Sequence, residues 1–176
     1  MKWPYFSHAI LLLMVSGCLS PRYSSLVNPS ADFSKYRTFY CSECLETMDS
    51  RRPGYDNPEN RRLIRDAIQK ELEHRGYTFQ EDHPDLLVEF DLIIKEHIDT
   101  VVQRTTNYRY WRGFEADTYN YKVGTLIINI VDYNEGIILW QGGAESFLDI
   151  NPADFESSVN KVVKSIFKKY PYKIRH

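Results

Sequence analysis

The chain has 176 residues and a formal net charge of −2 at pH 7. That is enough for one domain with its own core and too little positive charge for a nucleic-acid binder. Hydrophobic residues at 43% and aromatics at 14% exclude a disordered chain, which cannot bury enough apolar surface to offset its entropy.

Taken in chain order, the first signal is an address. Lys2 gives a positive start, Ala9–Val15 is an apolar run, and Val15-Ser16-Gly17 are small or short residues before Cys18. A run this short cannot span a bilayer, which needs about 20 residues, but it fits a secretory signal. Val15-Ser16-Gly17-Cys18 resembles the bacterial lipobox, which implies cleavage before Cys18 and lipid on its thiol. Residues 1–17 contain Lys2 and no acid, so the remaining 159 residues carry 21 basic and 24 acidic side chains, a charge of −3. Residues 18–31 read as a polar tether, and residues 32–176 as a single domain. Leu19, not Asp, follows the cysteine, and by the sorting rule of enteric lipoproteins this resemblance points to the outer membrane; the periplasmic face is the expected side.

A first strand is expected around Tyr36–Tyr40, then a loop from Cys41 to Asp56 broken by Pro53 and Gly54. The first helix is capped by Asn57, has Pro58 in its first turn and Gly76 as a left-handed terminator. Leu63, Ile64, Ala67, Ile68 and Leu72 form its apolar stripe, while Glu71 and His74 fall on the exposed side. After Pro84, Leu86, Val88, Phe90, Leu92 and Ile94 alternate with Glu89, Asp91 and Lys95, the pattern of a half-buried strand. Leu126, Ile128 and Ile130 mark the next strand. The turn Asp132–Gly136 leads into Ile137–Trp140, with glycine suited to the left-handed position of a bulged hairpin. Asn151-Pro152 opens a last helix with Phe155, Val159, Val162, Val163, Ile166 and Phe167 inward, stopped by Pro171. Trp140 is expected to be buried against a helix.

The order β-α-β-β-β-α predicts an α+β fold, a two-layer sandwich with two helices on one face of a four-stranded mixed sheet. The first crossover gives a parallel pair and the last hairpin an antiparallel one.

Several segments together are similar to one family. They are the lipobox, Asp32-Phe33-Ser34-Lys35-Tyr36, Ile64-Arg65-Asp66-Ala67-Ile68, Pro84-Asp85-Leu86-Leu87-Val88, Gly124-Thr125-Leu126-Ile127-Ile128, Leu139-Trp140-Gln141-Gly142 and Phe167-Lys168-Lys169-Tyr170-Pro171. They resemble the Gram-negative lipoproteins of the four-one-three-six domain of unknown function. The resemblance spans the mature chain and implies an envelope location but no catalytic residues. Cys41, Cys44 and the tyrosine-rich stretch depart from the family pattern.

Cys41-Ser42-Glu43-Cys44 is the sharpest chemical motif. A thiol–disulfide exchange site needs a stabilised thiolate, whereas Glu43, Glu46 and Asp49 surround this pair with negative charge. A simple disulfide between Cys41 and Cys44, closed in an oxidising compartment, is the favoured reading. Zinc would need further ligands at the right spacing. Glu81-Asp82-His83-Pro84-Asp85 reads as a solvated turn, and His97 with Asp99 as a wet strand face. An enzyme using acids and histidines between 81 and 99 is the rival reading. Gly-x-Ser-x-Gly, His-Glu-x-x-His and phosphate-loop motifs do not occur, and Gly142-Gly143 suits a bulge or a close backbone contact. No cofactor is called for.

Residues 107–121 hold Tyr108, Tyr110, Trp111, Phe114, Tyr119 and Tyr121, with Arg109 and Arg112 among them. Aromatics with arginine are enriched at binding hot spots, which makes this stretch the candidate contact surface for an envelope protein or a glycan. Alternatively, it extends the flanking strands into a long hairpin with cross-strand tyrosine pairs. The expected function is that of a lipid-anchored, non-enzymatic binding or structural module. A subunit that adds its exposed strand edge to an envelope assembly is a further reading.

Overall fold

A computed structural model of the chain describes residues 21–42, 56–105, 113–147 and 154–174, with backbone only for 96–105, 113–122 and 147. The described elements are β1 (Arg22–Val27), a 3-10 turn (Phe33–Lys35), β2 (Thr38–Cys41), α1 (Pro58–Glu73), β3 (Thr78–Phe79), β4 (Leu86–Thr105), β5 (Gly113–Asp132), β6 (Ile138–Phe147) and α2 (Phe155–Phe167).

Local sequence explains most boundaries. The Asn57 side chain accepts the Asn60 N–H at 2.9 Å and Pro58 takes the first helical position, which satisfies an orphan donor and removes another. At the other end Gly76 sits at φ 91°, a conformation that costs glycine nothing. The β5–β6 turn closes with Gly136 at φ 66°, and the register slips between Ile130 and Val131, as a bulged hairpin requires.

Alternation sorts each strand onto two faces. Leu86, Val88 and Phe90 of β4, Leu126, Ile128 and Ile130 of β5, Phe39 and Cys41 of β2, and Trp140 and Ala144 of β6 are buried. They form one core with Ile64, Ala67, Ile68 and Leu72 of α1 and Val159, Val163, Ile166 and Phe167 of α2. Both helices therefore cover the same face. The opposite face is wet, with Leu26, Ile93 and Ile138 exposed. Trp140 is fully buried, its ring 5.4 Å from that of Phe167.

The four-stranded sheet expected from the sequence is incorrect. Among the described residues the sheet has six strands in the order β1-β6-β5-β4-β2-β3. The added strands are edges. β1 lies inside the stretch read as tether and pairs antiparallel with β6, from Arg22 opposite Glu145 to Val27 opposite Trp140. Its sequence Arg-Tyr-Ser-Ser-Leu-Val lacks apolar alternation because the inward Ser25 has a polar task, accepting the Trp140 indole N–H at 2.8 Å. β3 has only two residues, too few for any periodicity, and pairs parallel with β2. The two orientations expected are present, β2 and β4 parallel and β5–β6 antiparallel, and β4–β5 is antiparallel as well. Strand β2 begins at Thr38, two residues later than the sequence suggested. Glu71 also departs from expectation. It is largely buried, because Arg75 donates to its carboxylate at 2.7 Å.

Candidate functional site

The β4–β5 hairpin is the element that stands apart. Both strands have 20 residues and pair in continuous register from Leu86–Asp132 to Thr105–Gly113. Their neighbours stop early: β2 reaches only Val88 on one side, and β6 reaches only Val123 on the other. Beyond that level, residues 96–105 and 113–122 pair with each other alone among the described residues. At about 3.3 Å per residue, the ten-residue strands extend roughly 30 Å past the sheet.

The hairpin brings together residues that the sequence only suggested separately. His97 stands opposite Tyr121, Asp99 opposite Tyr119, and Arg104 opposite Phe114. The strands therefore do extend as the alternative reading held, but Tyr119 and Tyr121 oppose an acid and a histidine, not other tyrosines. Tyr108, Arg109, Tyr110, Trp111 and Arg112 lie outside the described residues, as do Cys18 and Cys44. Cys41 is buried on β2 opposite Val88. The turn before β4 is exposed at Glu81, Asp82 and His83, with His83 at φ 47°. Asp85 is structural: its carboxylate accepts the backbone N–H groups of Arg37 at 2.7 Å and Thr38 at 2.9 Å, and its own N–H donates to Thr38 Oγ1 at 2.9 Å. Among the described residues no three His, Cys, Asp or Glu side chains converge to hold a metal ion.

Two buried polar pairs brace the end of the sheet opposite the hairpin. The Tyr36 hydroxyl donates to Asp132 Oδ2 at 2.8 Å, and Asp132 Oδ1 accepts the N–H groups of Asn134 and Glu135, each at 2.9 Å. Burial raises the Asp132 pKa, but the bonds from Glu135, Tyr36 and Asn134 outweigh it and hold this carboxyl below its ordinary value. Burial, then the Asp132 carboxylate, push Tyr36 far above the usual phenol range. Tyr77 and Tyr170 share a 2.9 Å hydroxyl contact inside the core, and burial raises both pKa values.

Sequence reasoning missed a cleft of about 650 Å³ between the C-terminal ends of the two helices. Its walls include His74, Arg75, Lys168, Pro171, Tyr172 and Lys173. Arg75 ties the helices together, donating to Glu71 and, at 2.6 Å, to the Phe167 carbonyl, with its guanidinium 5.2 Å from the Phe167 ring centre. The signal was present as a run of lysines without acids, but no motif marks it.

A two-layer α+β domain with a projecting hairpin is the class that these features define. The same fold occurs in a PDZ domain protein from Parabacteroides distasonis, at TM-score 0.57 and 19% identity over 87% of this chain. The present chain spans 36% of the length of that protein. PelC from Paraburkholderia phytofirmans, solved as a dodecamer, is similar at TM-score 0.50 and 9% identity, covering 88% of this chain and all of PelC. No curated protein matches the sequence. The chain belongs to the family defined by the domain of unknown function DUF4136, whose model matches residues 24–172.

Proposed function

We propose that the protein is an outer-membrane lipoprotein, lipid-anchored through Cys18 and facing the periplasm, that works as a non-enzymatic binding or structural module. Its contact element is the tip of the β4–β5 hairpin, residues 107–121. The observation that carries this reading is the hairpin itself. Two ten-residue strands that, among the described residues, pair only with each other gain no backbone pairing from the rest of the sheet, and an isolated two-stranded ribbon is marginally stable in water. A partner that buries the aromatic and arginine side chains of this stretch offsets that cost. Membership in the family agrees with an envelope lipoprotein and assigns no reaction. Cys41 and Cys44 close a small disulfide loop in this reading.

A second reading has one observation behind it. β1 is an edge strand of six residues with Leu26 68% exposed, a surface to which a neighbouring subunit can add. PelC, of similar fold, was solved as a dodecamer. Native mass of the domain separates an assembly from a monomer.

The anchor is tested in the host by fractionation: Cys18→Ala loses lipid labelling and leaves the membrane fraction. Equal fractionation of the two proteins overturns the anchor. For the hairpin, Trp111→Ala leaves the melting temperature almost unchanged if the tryptophan is held for a partner. A loss of about 3–5 kcal/mol, the cost of deleting a fully buried tryptophan, would make it a core residue instead.

A further inference from the structure

The charge of the chain is strongly segregated. From Ser157 to Ile174 there are five lysines and no acid, so the other residues carry a net charge of −7. All five lysines (Lys161, Lys164, Lys168, Lys169 and Lys173) are exposed. Among the described residues, none of their ammonium groups has a hydrogen-bonding or ion-pairing partner. Cations do stabilise helix C-termini, but a helix end carries only about half a charge, and two such ends do not account for five lysines.

Their placement is linear. Lys161, Lys164 and Lys168 follow the i, i+3, i+7 spacing that puts side chains on one helical face. Seven residues at about 1.5 Å make a row of roughly 10 Å. The row runs into the cleft at Lys168, where Lys173 continues the positive charge and Tyr172 and Pro171 supply flat apolar faces. Tyr172 is half-buried, its ring 6.4 Å from Phe33, and is thereby held in place. A row of cations ending in a cleft with a fixed aromatic ring suits a linear chain that alternates negative charge with ring faces.

We infer that this row and cleft bind a linear, carboxylate-bearing glycan. The anchoring bilayer is disfavoured as the anion by geometry, a step that rests on the anchor proposed at Cys18. Phe167, on the cleft wall, packs on Trp140, which stands opposite Val27 at the far end of β1. Arg22, the end of β1 nearest Cys18 in sequence, lies five register positions away, about 16 Å along the strand. The cleft thus lies at the end of β1 remote from the residue nearest the lipid.

The test uses the full chain in detergent, with alginate on beads as the glycan probe, a linear glycan with one carboxylate per ring, and phosphatidylglycerol on beads as the membrane-lipid probe. Wild type is expected to sediment with the alginate beads at low salt and to be released by high salt, because exposed charges are screened within about 3 Å at 1 M. The pair Lys168→Glu and Lys173→Glu is expected to lower the bound fraction at least tenfold at unchanged melting temperature, while Lys95→Glu on β4 binds as wild type. Wild-type binding by the charge-reversed pair, absence of alginate binding, or binding to the phosphatidylglycerol beads alone would each overturn the inference. Binding in detergent does not need the lipid, so failure of the anchor in fractionation and failure of this site are separate results.

Discussion

Gly142→Ala is the substitution whose effect the structure fixes most tightly. A Cβ built at Gly142 falls inside contact distance of Trp140 Cη2, and 2.5 Å from both Trp140 Cζ2 and Ile166 Cγ2. Carbon atoms prefer about 3.5–4.0 Å, so roughly 1 Å must be found. The neighbours have little to give. Trp140 and Ile166 are fully buried, and the indole is held by its bond to Ser25 and by the Phe167 and Tyr170 rings at 5.4 and 5.2 Å. Overpacking a close-packed core costs about 1–3 kcal/mol, against a gain of about 0.5–1 kcal/mol from replacing glycine in a strand. The net loss of about 1–2 kcal/mol corresponds to a fall of roughly 2–8 °C in a chain of this size. Gly143→Ala is the control: its Cβ meets Ser24 Oγ at 2.8 Å, on an exposed side chain free to rotate, and backbone only at 3.7 Å. Thermal melts followed by circular dichroism and tryptophan fluorescence compare the two. If Gly142→Ala melts within about 1 °C of wild type, or no lower than Gly143→Ala, the packing around Trp140 is not as described.

The tyrosine pair gives a cycle. Tyr170→Phe leaves the Tyr77 hydroxyl buried without its partner and costs about 1–3 kcal/mol, whereas adding Tyr77→Phe recovers part of that loss; strictly additive urea denaturation energies would refute the contact. Asp132→Ala lowers stability at pH 7 by about 1.5–3 kcal/mol, the range for bonds to a charged group. Because the folded pKa of Asp132 lies below its unfolded value, its contribution is full above the ordinary carboxyl range and disappears as pH falls through the folded value. Melts from pH 7 to pH 2 should therefore show wild type and variant converging on the acid side, and a constant gap would contradict the assignment.

The parts of the fold legible in the sequence are those where a periodic stripe and a cap agree. In α1, Asn57, Pro58 and Gly76 bound a stripe that the core receives intact, and in β4 the alternation from Leu86 to Phe90 names the buried face. β1 was illegible because its stability comes from across the sheet: Ser25 faces inward only because Trp140 needs an acceptor there. Glu71 read as surface because a lone acid at the edge of a stripe gives no hint of Arg75 four residues on folding over it. Of the candidate site, the strand register joining His97 to Tyr121 was invisible while the two stretches were read separately. The cleft was invisible for another reason. His74 and Lys173 are 99 positions apart in sequence and are brought to one cleft where Ile174 donates its N–H to the Arg75 carbonyl at 2.9 Å.

The pairing of β1 with β6 also determines how the domain bears load. If Cys18 carries lipid as proposed, a pull directed along β1 enters the fold at the Arg22 end, and the six residues of β1 lie antiparallel to β6 from Arg22 to Val27. Force in that direction shears all six pairs together and does not peel them one at a time. The Trp140–Ser25 bond lies across the sheared seam. The rate of forced unfolding is set by the barrier to that concerted step. A strand that reads as a linker would then serve as the mechanical clamp of the domain.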